Sequence, residues 1–216
     1  VLVIGAGPAG LMAALAAGRS GARVILAEES FALGGRCLDD GAEINGWPAA
    51  RWVADVEAEL GKLEDGRILR RTSVFGAYDG GTYGALERVN DHVDRAPKGQ
   101  PRQRLWRLVA KRVVLAAGAT ERPIVFGNND RPGVMLAGAV RAYINRYAVL
   151  PGKEAVVFIN NDDAAATVTE LRRAGGKVAA LVDSRPDSSA RVRAIADAAR
   201  VRLIAGGVVL DAVGGK

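Results

Sequence analysis

Three glycines near the start of the sequence follow the spacing G-x-G-x-x-G, in the run Gly-Ala-Gly-Pro-Ala-Gly over residues 5–10. In a loop between a strand and a helix, the first glycine permits a tight turn, the second lets the backbone approach a pyrophosphate, and the third lets helix and strand pack closely. The helix N-terminus then offers N–H groups and the positive end of its dipole to the phosphates. The residues predicted to form this binding loop are Gly5, Gly7, Pro8, Ala9 and Gly10.

An acid follows the glycines by about 20 residues, as a dinucleotide fingerprint requires. Residues 1–4 form a continuous apolar run typical of a buried parallel strand, residues 11–19 predict a helix, and residues 23–28 predict a second strand. Glu28, at the end of that strand, should accept hydrogen bonds from an adenosine ribose. Its carboxylate would repel a 2′-phosphate, which favours NAD or FAD over NADP. Glu29 is the competing acid, and a glycine turn that only packs is the alternative to a nucleotide site.

The elements that must position this loop alternate between strand and helix, which predicts an α/β protein. The predicted fold class is a doubly wound, parallel-sheet, Rossmann-like (FAD/NAD(P)-binding) fold with two lobes, the second incomplete. We assign residues 1–126 to a dinucleotide-binding domain with a β-meander insertion, 127–150 to a connecting helix, and 151–216 to a degenerate, truncated second lobe. Further helices are predicted over residues 52–63, 134–147, 164–174 and 189–199, and further strands over 70–78, 83–89, 105–109, 113–117 (expected to be buried), 155–159, 178–182 and 200–204.

The second lobe has no glycine loop at the equivalent position. After its first predicted strand the sequence reads Asn160-Asn161-Asp162-Asp163-Ala164. Without a glycine the backbone cannot approach a pyrophosphate closely, and the two aspartates would repel it. The sequence therefore predicts a Rossmann-like lobe that binds no dinucleotide. Contact of Asn160 and Asn161 with a different ligand or with a partner subunit is the alternative.

Composition argues against several function classes. The 216 residues carry a net charge of +6, with 49% hydrophobic and 25% charged residues. The Lys and Arg residues are spread along the sequence rather than clustered, so we expect no nucleic-acid binding. No apolar run reaches the ~20 residues of a membrane span, so we expect no membrane insertion. Cys37 is the one cysteine, which indicates a reducing, cytoplasmic compartment.

Isolated reactive side chains offer little chemistry of their own. His92 is the one histidine of the sequence, and no second histidine or cysteine stands near it for a metal site. Cys37 lies where disulfide reductases place a redox cysteine, but residues 38–45 contain no partner thiol. Trp47 and Trp52 are expected in the core rather than stacked on a cofactor. We therefore predict no catalytic residue and no metal ligand.

Longer segments resemble known flavoproteins. The glycine loop, Glu28 and Leu33-Gly34-Gly35 together resemble the glutathione-reductase-like proteins with two dinucleotide domains, and Ala116-Ala117-Gly118 resembles their A-T-G strand end. A narrower resemblance, to the alpha subunits of heterotetrameric sarcosine oxidases, covers essentially the whole chain. The segments that carry this narrower resemblance are residues 72–79, 85–89, 118–123, 128–138, 145–147 and 160–162.

This resemblance implies an activity that belongs to an assembled complex. In that family the complex oxidises sarcosine to glycine, produces hydrogen peroxide and passes a one-carbon unit to tetrahydrofolate. Substrate oxidation takes place at FAD in the beta subunit, FMN lies at the alpha–beta interface, and the alpha subunit holds NAD where relatives hold FAD. The implied partners are the beta subunit and the other subunits. The family's alpha subunit is far longer and both ends of this sequence look cut, so we expect a fragment that is inactive alone.

The resemblance also extends the predicted cofactor site. Arg36 follows the Gly-Gly pair and could reach a phosphate of the dinucleotide, although a solvated arginine is nearly as good an interpretation. Two other functions remain open: an FAD-binding subunit of a heteromeric amine, opine or hydroxyproline dehydrogenase, and a non-catalytic scaffold for partner subunits. The residues added to the predicted site are Glu29, Gly34, Gly35, Arg36, Val74, Ala117 and Gly118.

Overall fold

The computed structural model describes residues 1–41 and 43–214. It divides into two compact units. The first contains residues 1–38 and the described residues from 43 to 119, and the second contains residues 39–41 and the described residues from 120 to 214. The predicted domain boundaries at residues 126 and 150 stay a prediction.

The chain is a mixture of helices and strands, as the sequence predicts. In chain order they are β1 Leu2–Ile4, α1 Pro8–Arg19, β2 Val24–Ala27, β3 Glu43–Ile44, β4 Trp47–Pro48, α2 Ala49–Leu60, β5 Gly66–Leu69, β6 Thr72–Tyr78, β7 Thr82–Glu87, β8 Arg104–Val109, β9 Val113–Leu115, α3 Ala137–Tyr147, β10 Glu154–Ile159, α4 Asp162–Arg173, β11 Lys177–Asp183, α5 Ala190–Ala199 and β12 Arg202–Ala205.

A parallel sheet with the order β5-β2-β1-β9 forms the centre of the first unit. This order matches the start of the doubly wound arrangement, in which the first strand lies between the second and the fourth. Helix α1 buries Leu11, Ala14 and Leu15, and helix α2 buries apolar residues three to four positions apart, so both contribute to one core cluster. The carboxyl end of β1 therefore leads into the glycine loop on a rigid support.

An antiparallel sheet, β6-β7-β8, forms the second sheet of this unit. Its inward side chains include Ala85 and Leu108, which pack with Leu2 and Leu69 of the parallel sheet. The β6–β7 pairing shifts register between Val74 and Gly76, as a β-bulge does. The predicted meander is thus present, and one of its faces covers the parallel sheet.

The second unit repeats the strand–helix alternation. Strands β10, β11 and β12 are parallel and lie in that order, and helices α4 and α5 contribute buried side chains to the same apolar cluster. This cluster includes Ile159, Val168, Leu181 and Val192. Both units therefore have the mixed α/β, parallel-sheet architecture that the sequence predicts.

Three features of the first unit differ from the predictions. Strands β3 and β4 were not predicted, because each has only two residues. Strand β5 was not predicted, because its four residues include Gly66 and the exposed Arg67 and show no long apolar run. Residues 113–117 were predicted to form a buried strand, but β9 spans Val113–Leu115 at the sheet edge and Leu115 is 74% exposed. Apolar content predicted the strand correctly and its burial wrongly, since burial depends on neighbours that a local pattern does not specify.

Candidate functional site

Two of the three motif glycines are required by packing inside the chain. Gly5 has φ +95°, and a Cβ atom there would lie 2.4 Å from the carbonyl oxygen of Ala116. A Cβ atom on Gly10 would lie 1.8 Å from the carbonyl oxygen of Gly5. The loop consequently folds tightly between the end of β1, the first turn of α1 and the segment after β9. These contacts correspond to the turn and packing roles that the motif predicts.

Gly7 differs from its neighbours because no contact among the described residues requires a glycine there. It is the N-cap of α1 with φ −68° and ψ 179°, a conformation open to other residues, and a Cβ atom would meet no atom of residues 1–41 and 43–214 within 4 Å. No side chain caps α1 at this position, and Pro8 begins the helix. The loop therefore leaves open space beside a helix N-terminus, where N–H groups and the helix dipole favour an anion.

Glu28 is buried directly against the glycine loop. Glu28 is only 7% exposed. Its two carboxylate oxygens accept hydrogen bonds from the backbone N–H groups of Ala6 (2.7 Å) and Ser30 (2.8 Å). A carboxylate has about four lone-pair sites, so each oxygen can accept a second hydrogen bond. Glu29 is exposed, and only its backbone oxygen is engaged, by Arg88 at 2.8 Å. Of the two acids, Glu28 is the one placed at the loop.

The Gly-Gly pair closes the other side of the loop. The Gly34 N–H donates to the Ala6 carbonyl at 2.8 Å, and a Cβ atom on Gly35 would lie 2.9 Å from the Gly7 Cα atom. Both glycines have positive φ, +120° and +52°, which disfavours other residues. Arg36 follows them, exposed, in a short 3₁₀ turn. The structure thus brings Gly34 and Gly35 to the same place as Gly7 and Glu28.

The remaining predicted residues vary in their relation to the loop. Pro8 and Ala9 are exposed in the first turn of α1. Ala117 and Gly118 are exposed just after β9, in the segment where the Ala116 N–H donates to the Ile4 carbonyl at 2.8 Å. Val74 differs, since its side chain packs into the apolar cluster beneath the meander. The side chain of Val74 is thus partly engaged by the protein's own core.

The residues considered for other chemistry are placed as ordinary structural residues. Cys37 is half-buried and packs, with Trp52, against the core of the first unit. Trp47 is exposed, against expectation, and the Arg51 guanidinium lies 3.9 Å from its ring centroid. His92 is exposed. Within residues 1–41 and 43–214, no group of three His, Cys, Asp or Glu side chains is arranged to hold a metal ion.

The corresponding loop of the second unit is built from charged side chains. Asn161 caps α4, its side-chain oxygen accepting from the N–H groups of Asp163 (3.0 Å) and Ala164 (3.2 Å). Arg185 donates to Asp162 at 2.8 Å and to Asp183 at 2.9 Å. Asp183 is fully buried, and hydrogen bonds from Arg185 hold the pKa of its carboxyl below the ordinary value. Side chains of the protein itself therefore already occupy the N-terminal end of α4.

Two arginines of this unit have roles that the sequence did not predict. Arg185 holds the charge cluster just described, and Arg141 is buried between Asp40 and Asp163, at 3.0 Å from each. The available signal for Arg141 was its position on the apolar side of α3, among residues that pack against the core of the second unit. For Arg185 the signal was weaker, since a loop arginine after a strand is usually solvated.

Comparison with known proteins agrees with this geometry. Residues 1–50 match the family model described as FAD dependent oxidoreductase. Over 216 residues the sequence is 50% identical to the sarcosine oxidase subunit alpha of Rhizobium meliloti (strain 1021), covering 100% of this chain and 21% of that protein. The chain is a relative of the sarcosine oxidase alpha subunits. It spans about a fifth of the length of the curated alpha subunits it matches.

Solved structures show the same fold. L-proline dehydrogenase from P. horikoshii superimposes with a TM-score of 0.65 at 31% identity. The match covers 82% of this chain and 34% of the dehydrogenase chain. Lactococcus lactis thioredoxin reductase superimposes with a TM-score of 0.69 at 17% identity, covering 99% of this chain and 66% of that chain. The architecture is therefore the Rossmann-like fold of FAD- and NAD(P)-binding oxidoreductases. No helix in the described part is long and apolar enough to cross a membrane.

Proposed function

We propose that this chain is the dinucleotide-holding segment of a sarcosine-oxidase-like alpha subunit, in an oxidoreductase that oxidatively demethylates sarcosine. One observation carries the proposal: a buried carboxylate and an uncapped helix N-terminus meet at an open glycine loop. Glu28 receives the N–H of Ala6, a residue of that loop, so acid and loop are held together. The 50% identity to an alpha subunit supplies the reaction and substrate class.

The residues at the loop fit an adenine dinucleotide. The pyrophosphate would lie at Gly7, where a Cβ atom would meet no atom of the described residues within 4 Å, and the helix N-terminus would stabilise its charge. Glu28 would accept hydrogen bonds from the ribose with its remaining lone pairs. The Gly34–Gly35 pair and Arg36 would flank the phosphates, and Ala117 and Gly118 would lie across the loop. The proposed set also includes Glu29, whose side chain is exposed, and Val74, which is partly buried.

We propose NAD as the occupant, with FAD as the alternative. A carboxylate beside the ribose suits both and disfavours NADP, because a 2′-phosphate would meet the buried charge of Glu28. The FAD-dependent family model over residues 1–50 supports a site of this type but does not distinguish the two. When bound, such a cofactor accepts or donates hydride, or it stays in place as a structural group. The chain contributes binding and orientation.

We further propose that the second unit binds no dinucleotide and that the catalytic flavin sites lie elsewhere in the assembly. At α4, Asn161 already accepts from the first N–H groups, and Asp162 and Asp183 would repel a pyrophosphate that displaced Arg185. Substrate oxidation would then depend on a beta subunit and its FAD, with FMN at the interface. Cys37, as the one cysteine, agrees with a reducing cytoplasmic setting.

The proposal is tested by replacing the two adjacent acids in the full-length subunit. Glu28→Gln removes one charge-assisted acceptor from the ribose, at a cost of roughly 1.5–3 kcal/mol per hydrogen bond, which is roughly a 10- to 150-fold loss of affinity. Glu29→Gln is the matched control, because that side chain is exposed. Mass spectrometry of the ligand released on denaturation measures occupancy and distinguishes NAD from FAD.

Thermal unfolding of both variants separates binding from folding, since Glu28 also holds the N–H groups of Ala6 and Ser30. We expect reduced occupancy in Glu28→Gln at a temperature where the protein is folded, and wild-type occupancy in Glu29→Gln. Equal losses in the two variants, or a released ligand without an adenine dinucleotide, would contradict the assignment.

A further inference from the structure

Two planar side chains lie together close to the buried acid of the glycine loop. Phe31, three residues after Glu28, is 55% exposed, and the Arg71 guanidinium lies 5.5 Å from the centroid of its ring. Arg71 is half-buried, and its side chain forms no hydrogen bond or ion pair with any residue in the part of the chain that the structure describes. We call Phe31 and Arg71 the planar pair.

The carboxylate of Glu28 extends from the glycine loop toward this pair. One of its oxygens accepts from the Ala6 N–H in the loop, and the other accepts from the N–H of Ser30, the residue before Phe31. A ribose bound to this carboxylate, with its pyrophosphate at the glycine loop, would therefore direct its base away from the loop. The planar pair lies at that end of the acid.

Hydrogen bonds fix the backbone on which the planar pair is mounted. The carbonyl groups of residues 29–31 each accept one hydrogen bond. Their donors are, in order, the Arg88 side chain (2.8 Å), the Arg71 backbone N–H (3.0 Å) and the Arg70 side chain (3.2 Å). Arg70 is also paired with Glu57. Arg70 and Arg88 thus use their guanidinium groups on the protein itself, whereas Arg71 contributes its backbone N–H.

Arg71 keeps a long side chain in a backbone conformation that suits glycine. Its φ is +52°, in the left-handed region that is unfavourable for a residue with a Cβ atom. Its N–H donates to the Ser30 carbonyl and its own carbonyl accepts from the Arg88 N–H at 2.9 Å, so neighbouring backbone holds this conformation. A strained residue that its surroundings hold in place points to a function for its side chain.

We propose that Arg71 binds the adenine base of the dinucleotide, its guanidinium stacking on the base while the Phe31 ring supports the guanidinium from the protein side. This inference rests on the proposed function, because the base is placed by a ribose on Glu28. A guanidinium is planar and stacks on aromatic faces, and nucleic-acid bases stack on guanidinium planes in the same way. The planar pair therefore provides a flat, cationic surface suited to a purine.

Stacking on a base suits Arg71 better than pairing with a phosphate. An arginine near the ribose accommodates the 2′-phosphate of NADP in Rossmann folds. Here the acid at the ribose position, Glu28, is buried and receives two backbone N–H groups, so its charge stays in place and would repel that phosphate. The ring of Phe31 beside the guanidinium agrees with a stacked arrangement. The two roles predict opposite results for a lysine at position 71.

The first test removes the Arg71 side chain without straining the backbone. Arg71→Gly, in the full-length subunit co-purified with its oxidase partners, is dialysed against a series of NAD concentrations, and in parallel FAD, which carries the same adenosine. Mass spectrometry measures the dinucleotide retained. Loss of one base stack should weaken binding roughly 5- to 150-fold. Arg200→Gly is the matched control, because Arg200 also has φ +52°, at the C-cap of α5. Neither variant should unfold at a markedly lower temperature, since glycine suits this conformation.

The second test distinguishes stacking from charge. Arg71→Lys keeps the positive charge and loses the plane, so it should weaken retention of NAD and FAD nearly as much as Arg71→Gly. Wild-type retention of both dinucleotides in either variant, an equal loss in Arg200→Gly, or a loss confined to added NADP would overturn the proposal. A wild-type subunit that releases neither NAD nor FAD on denaturation would instead contradict the proposed function.

Discussion

Replacement of Gly7 by alanine should remove dinucleotide binding without harming the fold. The position has φ −68° and ψ 179°, which alanine adopts freely, and the new Cβ atom would meet no atom within 4 Å among the residues that the structure describes. Alanine is a poorer N-cap than glycine, by a few tenths of a kcal/mol to ~1 kcal/mol. It also reduces the entropy of the unfolded chain, which stabilises by about 0.4–1 kcal/mol. These effects oppose one another, so we expect a change in unfolding free energy below about 1 kcal/mol.

The effect on binding should be larger, because the empty space at Gly7 is where the pyrophosphate would approach the backbone. A methyl group there separates the phosphate oxygens from the loop N–H groups. Each charge-assisted hydrogen bond lost costs roughly 1.5–3 kcal/mol. One lost bond corresponds to roughly a 10- to 150-fold weaker affinity, and two correspond to effective loss of binding. The Gly7→Ala substitution should thus weaken dinucleotide binding strongly while changing the unfolding free energy little.

Two other glycines serve as controls. Gly10→Ala would place a Cβ atom 1.8 Å from the Gly5 oxygen, so this variant should fail to fold normally. Gly61→Ala changes a residue with φ −66° at the end of α2, where the nearest atom would be 3.4 Å away, and should be neutral in both measurements. Isothermal titration calorimetry with NAD and with FAD gives the affinities, and circular dichroism gives the unfolding temperature.

The result that would refute this reasoning is a folded Gly7→Ala variant that binds the dinucleotide with wild-type affinity. Such a variant would show that no phosphate approaches the loop, and the space at Gly7 would then be ordinary solvent. Loss of folding in Gly7→Ala would contradict the steric argument instead, because no atom in the part of the chain that the structure describes is close enough to clash with the added methyl group.

Two further outcomes follow from the charges and from the proposed assembly. The Arg185 hydrogen bonds hold the pKa of Asp183 below its ordinary value, so this carboxylate stabilises the fold above that value and loses its contribution as the pH falls through the folded-state pKa. Between about pH 5 and more acid conditions, urea unfolding should show a smaller loss of stability in Asp183→Asn than in the wild type. The chain alone, given sarcosine, FAD and NAD, should produce neither peroxide nor NADH; turnover of about 1 per second or more would refute its dependence on partner subunits.

Local pattern was sufficient to predict the glycine loop. Gly5, Gly7 and Gly10 have the spacing of a strand-to-helix turn; the turn excludes a side chain at Gly5 and Gly10, and Gly7 lies at the open N-cap of the helix. Choosing Glu28 over Glu29 needed only strand register, and the buried acid is Glu28. These features depend on residues close in sequence, so their geometry is encoded within some 30 residues of chain.

Features that depend on distant residues were not predictable in the same way. Strand β9 has the apolar sequence of a buried strand, yet its burial is decided by what lies at the edge of the sheet. The cluster of Leu2, Leu69, Ala85 and Leu108 combines residues from four strands that a reading along the chain treats separately. Arg185 is a loop residue whose partners, Asp162 and Asp183, lie on two different elements. In each case the relevant neighbour is specified by the fold rather than by spacing.

The two units show how one architecture can keep or lose an anion site through its helix cap. Both place a helix N-terminus after the first strand of a parallel sheet, so both begin with unpaired N–H groups. In the first unit the cap residue is Gly7, which has no side chain to satisfy them, and the space beside it is open. In the second the cap is Asn161, whose oxygen accepts from two of them, while Arg185 pairs with Asp162 in the next position. A phosphate gains most where the protein leaves donors unsatisfied, so we assign the dinucleotide to the first unit.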